Sequence, residues 1–109
     1  MIASAIRDRY LRDPLSVRLG GLAADLARIA SFAENPKNRE AVVSLMEEGK
    51  WFAEWAAPEA PVEIQEVLAE AQVALALWHR RWVAGRPDPL MPEAAHRWSE
   101  QLLELSGLV

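Results

Sequence analysis

Proline punctuation limits what this chain can fold into more than any other feature. Asp13-Pro14, Asn35-Pro36, Pro58 with Pro61, and the run "RPDPLMP" from Arg86 to Pro92 divide it into four long segments. Proline lacks an N–H and clashes with the preceding turn, so a helix can begin at these points but cannot run through them. Between them the apolar residues recur with three-and-four spacing. Leu15, Leu19, Leu22, Leu26, Ile29 and Ala33 make one narrow stripe, predicting a helix from Asp13 as N-cap and Pro14 as first residue to about Glu34. Asn35-Pro36 opens a second helix by the same device, with Val42, Leu45, Met46, Gly49, Phe52, Ala53 and Ala56 as its core stripe. So short a connection makes the two helices antiparallel neighbours. Ile64, Val67, Leu68, Ala71, Leu75, Trp78 and Trp82 mark a third helix ending near Gly85, and Ala95, Trp98, Leu102 and Leu105 a fourth with Pro92 in its first turn. Ser106-Gly107-Leu108 suits a stop with Gly107 left-handed and Leu108 folding back. Ile2, Ile6 and Tyr10 can add a short helix before Asp13.

No segment sustains strand alternation. The expected fold is therefore all-α: a compact antiparallel four-helix bundle with a short extra N-terminal helix as an option. A chain of 109 residues has interior for one core, so residues 1–109 are expected to form a single domain. Gly20-Gly21 inside the first helix costs about 1 kcal/mol per glycine relative to alanine. Gly20, Ala24, Ala27 and Ser31 form a strip of small residues where another backbone could approach closely.

Charge excludes some functions. Residues 1–39 carry seven Lys/Arg against four Asp/Glu, residues 40–70 one against eight, and residues 71–109 four of each. The acidic middle argues against a nucleic-acid groove, which needs a continuous basic stripe. There is no cysteine, which removes disulfides, thiolate zinc sites and cysteine nucleophiles together and is compatible with a reducing compartment. No apolar run reaches the roughly 18 residues that span a bilayer, and arginines are scattered through "MIASAIRDRYLRDP" where a leader would be apolar. A cytoplasmic protein without a membrane partner is the expectation.

Three places could carry function. In "EGKWFAEWAAP", from Glu48 to Pro58, Phe52 lies within the core stripe, whereas Trp51 and Trp55 fall on the opposite side of the helix. A tryptophan can bury about 150–250 Å², so something should cover them: the rest of the chain, a partner or a ligand. Val73 and Leu77 are a similar excess on the third helix, and Trp51, Trp55, Val73 and Leu77 are the candidate interface. In "WHRRWVAGR", Arg80, Arg81 and Arg86 sit among Trp78 and Trp82. They could bind an anion with Trp98 nearby, or could merely complement the helix dipole and cover indole edges. Glu93-Ala94-Ala95-His96 is an E-x-x-H, the pattern that carboxylate-bridged metal bundles use twice with two further glutamates. Here it occurs once, off the apolar face, so no metal site is expected. No phosphate loop, cofactor motif or nucleophile–base pair can be nominated.

The stretches "RLGGLAADLARIASFAENPKNREAV", "EEGKWFAEWAAPEA" and "RWSEQLLELSGLV" resemble short all-helical conserved-hypothetical proteins of cyanobacteria. That resemblance brings no activity and no site residues, and implies at most a small cytoplasmic accessory protein. The resulting expectation is a non-enzymatic interaction module without a cofactor, acting as a homodimer or with a protein partner. The alternative is a bundle that holds a small apolar or anionic ligand between the third and fourth helices, near Trp78, Arg80, Arg81, Trp82 and Trp98.

Overall fold

Five α-helices follow one another in the computed structural model, which describes residues 4–107. They are α1 (Ser4–Arg12), α2 (Leu15–Phe32), α3 (Arg39–Ala56), α4 (Val62–Val83) and α5 (Met91–Ser106), with single 3₁₀ turns at Pro36–Asn38 and Ala57–Glu59. No strand occurs among the described residues. The fold is an all-α bundle of four main helices with the short N-terminal helix present; Ile2 and Leu108 lie outside the described residues. None of the described helices is long and apolar enough to cross a membrane.

The prolines act nearly where the sequence puts them. Pro14 and Pro61 are themselves the N-caps of α2 and α4, with extended backbones (ψ 154° and 157°), so Asp13 does not cap. Its carbonyl instead accepts a hydrogen bond from Arg18 Nε at 3.0 Å. Asn35 does cap, its Oδ1 accepting from Lys37 N at 3.0 Å. It starts a 3₁₀ turn, however, and α3 begins only at Arg39. At the end of α4, Gly85 takes φ +76° while Arg86 N donates to Arg81 O and Gly85 N to Trp82 O. This pair of bonds is a complete Schellman stop. Gly107 is left-handed as expected.

Helix α2 is the axis of the packing, with α3 on one side and α5 on the other, and α4 lies mainly against α3. The leucine stripe is buried as predicted: Leu19, Leu22, Leu26 and Ile29 are fully enclosed, together with Val42, Met46, Leu68, Leu75 and Leu102. Leu105, assigned to the same face as Leu102, is exposed. Two close approaches set the helix spacing. A Cβ on Gly49 would lie 3.1 Å from Leu75 Cδ1 and 3.6 Å from Leu22 Cδ1, so glycine lets α2 and α4 close over α3. On the other side, buried Ser99 donates from Oγ to Ala23 O at 2.7 Å, which requires the backbones of α2 and α5 to run close together. The small-residue strip is used only at its edge, because Ala27 and Ser31 remain exposed.

Leu22 stands at the point where three helices meet. Leu22→Ala is expected to cost about 2–5 kcal/mol in urea unfolding, while Glu70→Ala, on an exposed turn of α4, stays within about 0.5 kcal/mol.

Candidate functional site

The aromatic cluster of "EGKWFAEWAAP" is assembled by α1. Arg9 and Arg12 occupy the last turn of this helix, and Tyr10 is deeply buried. Its ring stacks on Phe52 at 4.0 Å between centroids, with the planes 4° apart, and lies 6.0 Å from Trp55. Its hydroxyl donates to Arg18 O at 3.0 Å and Phe52 O at 3.2 Å. Burial raises the pKa of the phenol, Arg18 opposes that shift, and Asp25 adds to it. Phe52 is half-buried against the core, as is Trp55 beneath α1. Trp51 stays 41% exposed, its ring 5.6 Å from that of Trp55. The two tryptophans border a groove of about 540 Å³ whose other walls are Arg7 and Leu11 from α1 and Glu54, Pro58 and Glu59.

The four residues of the candidate interface do not form one patch. Val73 and Leu77 are 59% and 55% exposed on α4, and neither borders the groove. The seam between α3 and α4 is bridged by polar groups: Lys50 Nζ lies 2.9 Å from His79 Nδ1, and Glu47 Oε1 3.7 Å from His79 Nε2. Partial burial, and then Lys50, lower the pKa of His79.

Two charged residues inside the leucine stripe went unremarked in the sequence. Arg18, one turn before Leu22, is 2% exposed. It spans the ends of two connections, donating from Nε to Asp13 O and pairing through Nη2 with Glu59. Asp25, three residues after Leu22, is 1% exposed. Its Oδ1 accepts from Arg28 Nη1 at 3.3 Å, and its Oδ2 has no hydrogen-bond partner. The signal was available: Arg18 lies three residues after Leu15 and four before Leu22, and Asp25 three after Leu22 and four before Ile29, which puts both on the face of the stripe.

The residues of "WHRRWVAGR" separate. Trp78 and Trp82 are buried, and Trp82 exchanges hydrogen bonds with Arg39, Nε1 donating to Arg39 O at 3.1 Å and Trp82 O accepting from Nη2 at 3.3 Å. Arg80 is exposed, and Arg81 binds the α4 stop through Arg86 O and pairs loosely with Asp88 at 4.0 Å. Beside Trp82 lies a cavity of about 400 Å³ walled by Arg39, Met91 and prolines 36, 87, 89 and 92. Of the residues proposed for a ligand, only Trp82 borders it; Trp78, Arg80, Arg81 and Trp98 do not. On α5, Glu93 pairs with Arg97 and His96 with Glu100, all exposed. No group of three or more His, Asp or Glu side chains able to hold a metal ion occurs among the described residues.

No protein-family model, curated protein or solved structure matches the chain. The functional reading therefore rests on the chain's own residues.

Tyr10 holds α1 in place. Tyr10→Phe keeps the stacked ring but loses the hydroxyl, and should cost about 0.5–1.5 kcal/mol. Tyr10→Ala removes both and should cost about 3–5 kcal/mol, measured by urea unfolding followed by circular dichroism.

Proposed function

We propose that this chain is a non-catalytic helical module that pairs with a second copy of itself through the groove around Trp51. The observation that carries this reading is the Trp51 indole, left 41% exposed at the edge of an aromatic cluster whose other members are at least half-buried. Large aromatic anchors of this kind dominate binding energy at interfaces. The rim of the groove has mixed charge, with Arg7 on the α1 side and Glu54 and Glu59 on the other. A two-fold contact places the same patch of both copies face to face, so the basic edge of one copy can meet the acidic edge of the other. Val73 and Leu77 stand apart from this groove and are not needed for the contact. A cytoplasmic setting suits a chain without cysteine.

A second reading, a small apolar anion bound beside Trp82, is favoured by the cavity of about 400 Å³ that sets the Arg39 guanidinium among prolines and Met91. 1-Naphthoate serves as the probe. Binding that quenches tryptophan fluorescence and weakens in Arg39→Ala supports this reading, and no response at millimolar probe ends it.

Light scattering across a range of concentrations tests the first reading. The wild type should form a dimer, and Trp51→Gln a monomer with an unchanged helical spectrum and a dissociation constant raised about thirtyfold or more, the effect of losing about 2 kcal/mol at an anchor. Trp51 alone is changed because Trp55 also packs beneath Tyr10. A wild type that stays monomeric at millimolar concentration, or a variant that dimerises as well, overturns the proposal.

A further inference from the structure

The outward side of α4 carries a second stripe, left open to solvent. Buried Leu68, Ala71, Leu75, Trp78 and Trp82 face the bundle. On the far side of the same helix Val62, Ala69, Val73, Ala76 and Val83 are exposed, and exposed Glu66 and Arg80 fill the two gaps between them. These positions alternate four and three residues apart from Val62 to Val83, the heptad spacing with which one helix packs along another. Val62, Val73 and Val83 are 64%, 59% and 59% exposed, and Leu77 beside them 55%. A surface helix needs apolar residues only on the side that meets its own core. A second stripe opposite the first calls for a second neighbour.

We propose that this face pairs with α4 of a second copy of the chain, antiparallel about a two-fold axis at Val73. The charges choose both the partner and the direction. Glu66 lies seven residues before Val73 and Arg80 seven after it, about 10 Å along the helix either way. An antiparallel copy therefore brings its arginine level with Glu66 and, by symmetry, its glutamate level with Arg80. Parallel pairing would set glutamate against glutamate and arginine against arginine. Sizes match as well, because Leu77, four residues after Val73, comes level with the small side chain of Ala69, four residues before it in the other copy.

Neither charge is answered within its own chain. Among the described residues, no ion pair includes Glu66 or Arg80. The helical neighbours of Glu66 at three and four residues are Val62, Glu63, Ala69 and Glu70, and two of these are like charges. Those of Arg80 are Ala76, Leu77, Val83 and Ala84, none of them acidic. Like charges at this spacing destabilise a helix, so an arginine from a second copy relieves the crowding around Glu66.

The contact does not rest on the Trp51 groove, to which α4 contributes no residue. With alanine at two of its places it is the weaker of the two, and it joins dimers made at Trp51 into larger assemblies. Trp51→Gln alone therefore stays a monomer at working concentrations and pairs through α4 only when concentrated.

The chain has no cysteine, so a single introduced thiol reports the contact. Val73→Cys is made in the Trp51→Gln chain, where the α4 contact is read alone, and treated with a short bismaleimide. Thiols on the two-fold axis are held together, and should cross-link at least about tenfold faster than those of Ala27→Cys, an exposed position on α2. Adding Glu66→Arg or Arg80→Glu sets like charges against each other at both levels and should slow the reaction about tenfold. Mixing these two variants restores opposite charges, and the product should be the mixed dimer, told from the others by mass. Every changed position is exposed, so circular dichroism should show the wild-type helical spectrum throughout. Cross-linking no faster than in Ala27→Cys, undiminished cross-linking in either charge variant, or no excess of mixed dimer overturns the pairing.

Discussion

The bundle depends on α2 being gripped from several sides at once. Its leucine stripe faces α3 and α4 across Gly49, and its flank at Ala23 is close enough to α5 for the Ser99 hydroxyl to reach a helical carbonyl. A helix held this way leaves little room for error. A methyl group on Gly49 presses on Leu75, and a missing methyl group at Leu22 opens a void where three helices meet. Close-packed interiors respond to changes of one carbon in either direction.

The same burial makes the charges on α2 expensive. Arg18 meets that cost by joining two connections, a carbonyl before α2 and a carboxylate in the turn between α3 and α4, although its Nη1 stays buried without a partner. Asp25 meets it only in part, with one hydrogen bond from Arg28 to Oδ1 and none to Oδ2. An ionised carboxylate with one long hydrogen bond is a poor occupant of a core, and the neutral acid is a better one. Helix α1 ends beside both residues. Tyr10 donates to the backbone of Arg18, and Asp25 acts on its phenol, so the short helix is fastened to the most polar part of an otherwise apolar stripe.

Fastening α1 there also decides how the aromatic residues are shared out. Tyr10 covers Phe52 and part of Trp55 but stops short of Trp51, whose indole is left at the mouth of a groove. The indoles of α4 differ in kind. Trp78 and Trp82 are buried, and the polar edge of Trp82 is satisfied by the backbone of Arg39.

The amino-acid sequence by itself determined the helices, their order and the buried face of α2, because apolar periodicity and proline punctuation are local properties of the chain. It also placed Trp51 away from the core stripe. Tertiary structure decided the rest. Asp13 yields its capping role because the extended backbone at Pro14 makes that residue, one position later, the N-cap. Leu105 is exposed because burial needs a neighbour opposite it, and a helical wheel contains none. Val73 and Leu77 belong to a different face from Trp51, because periodicity assigns a residue to a side of its own helix and says nothing of where that side points in the assembled bundle. Asp25 is the clearest case. The spacing of Asp25 within the leucine stripe announces its burial, but only the assembled bundle leaves one of its oxygens to Arg28 and the other without a hydrogen-bond partner.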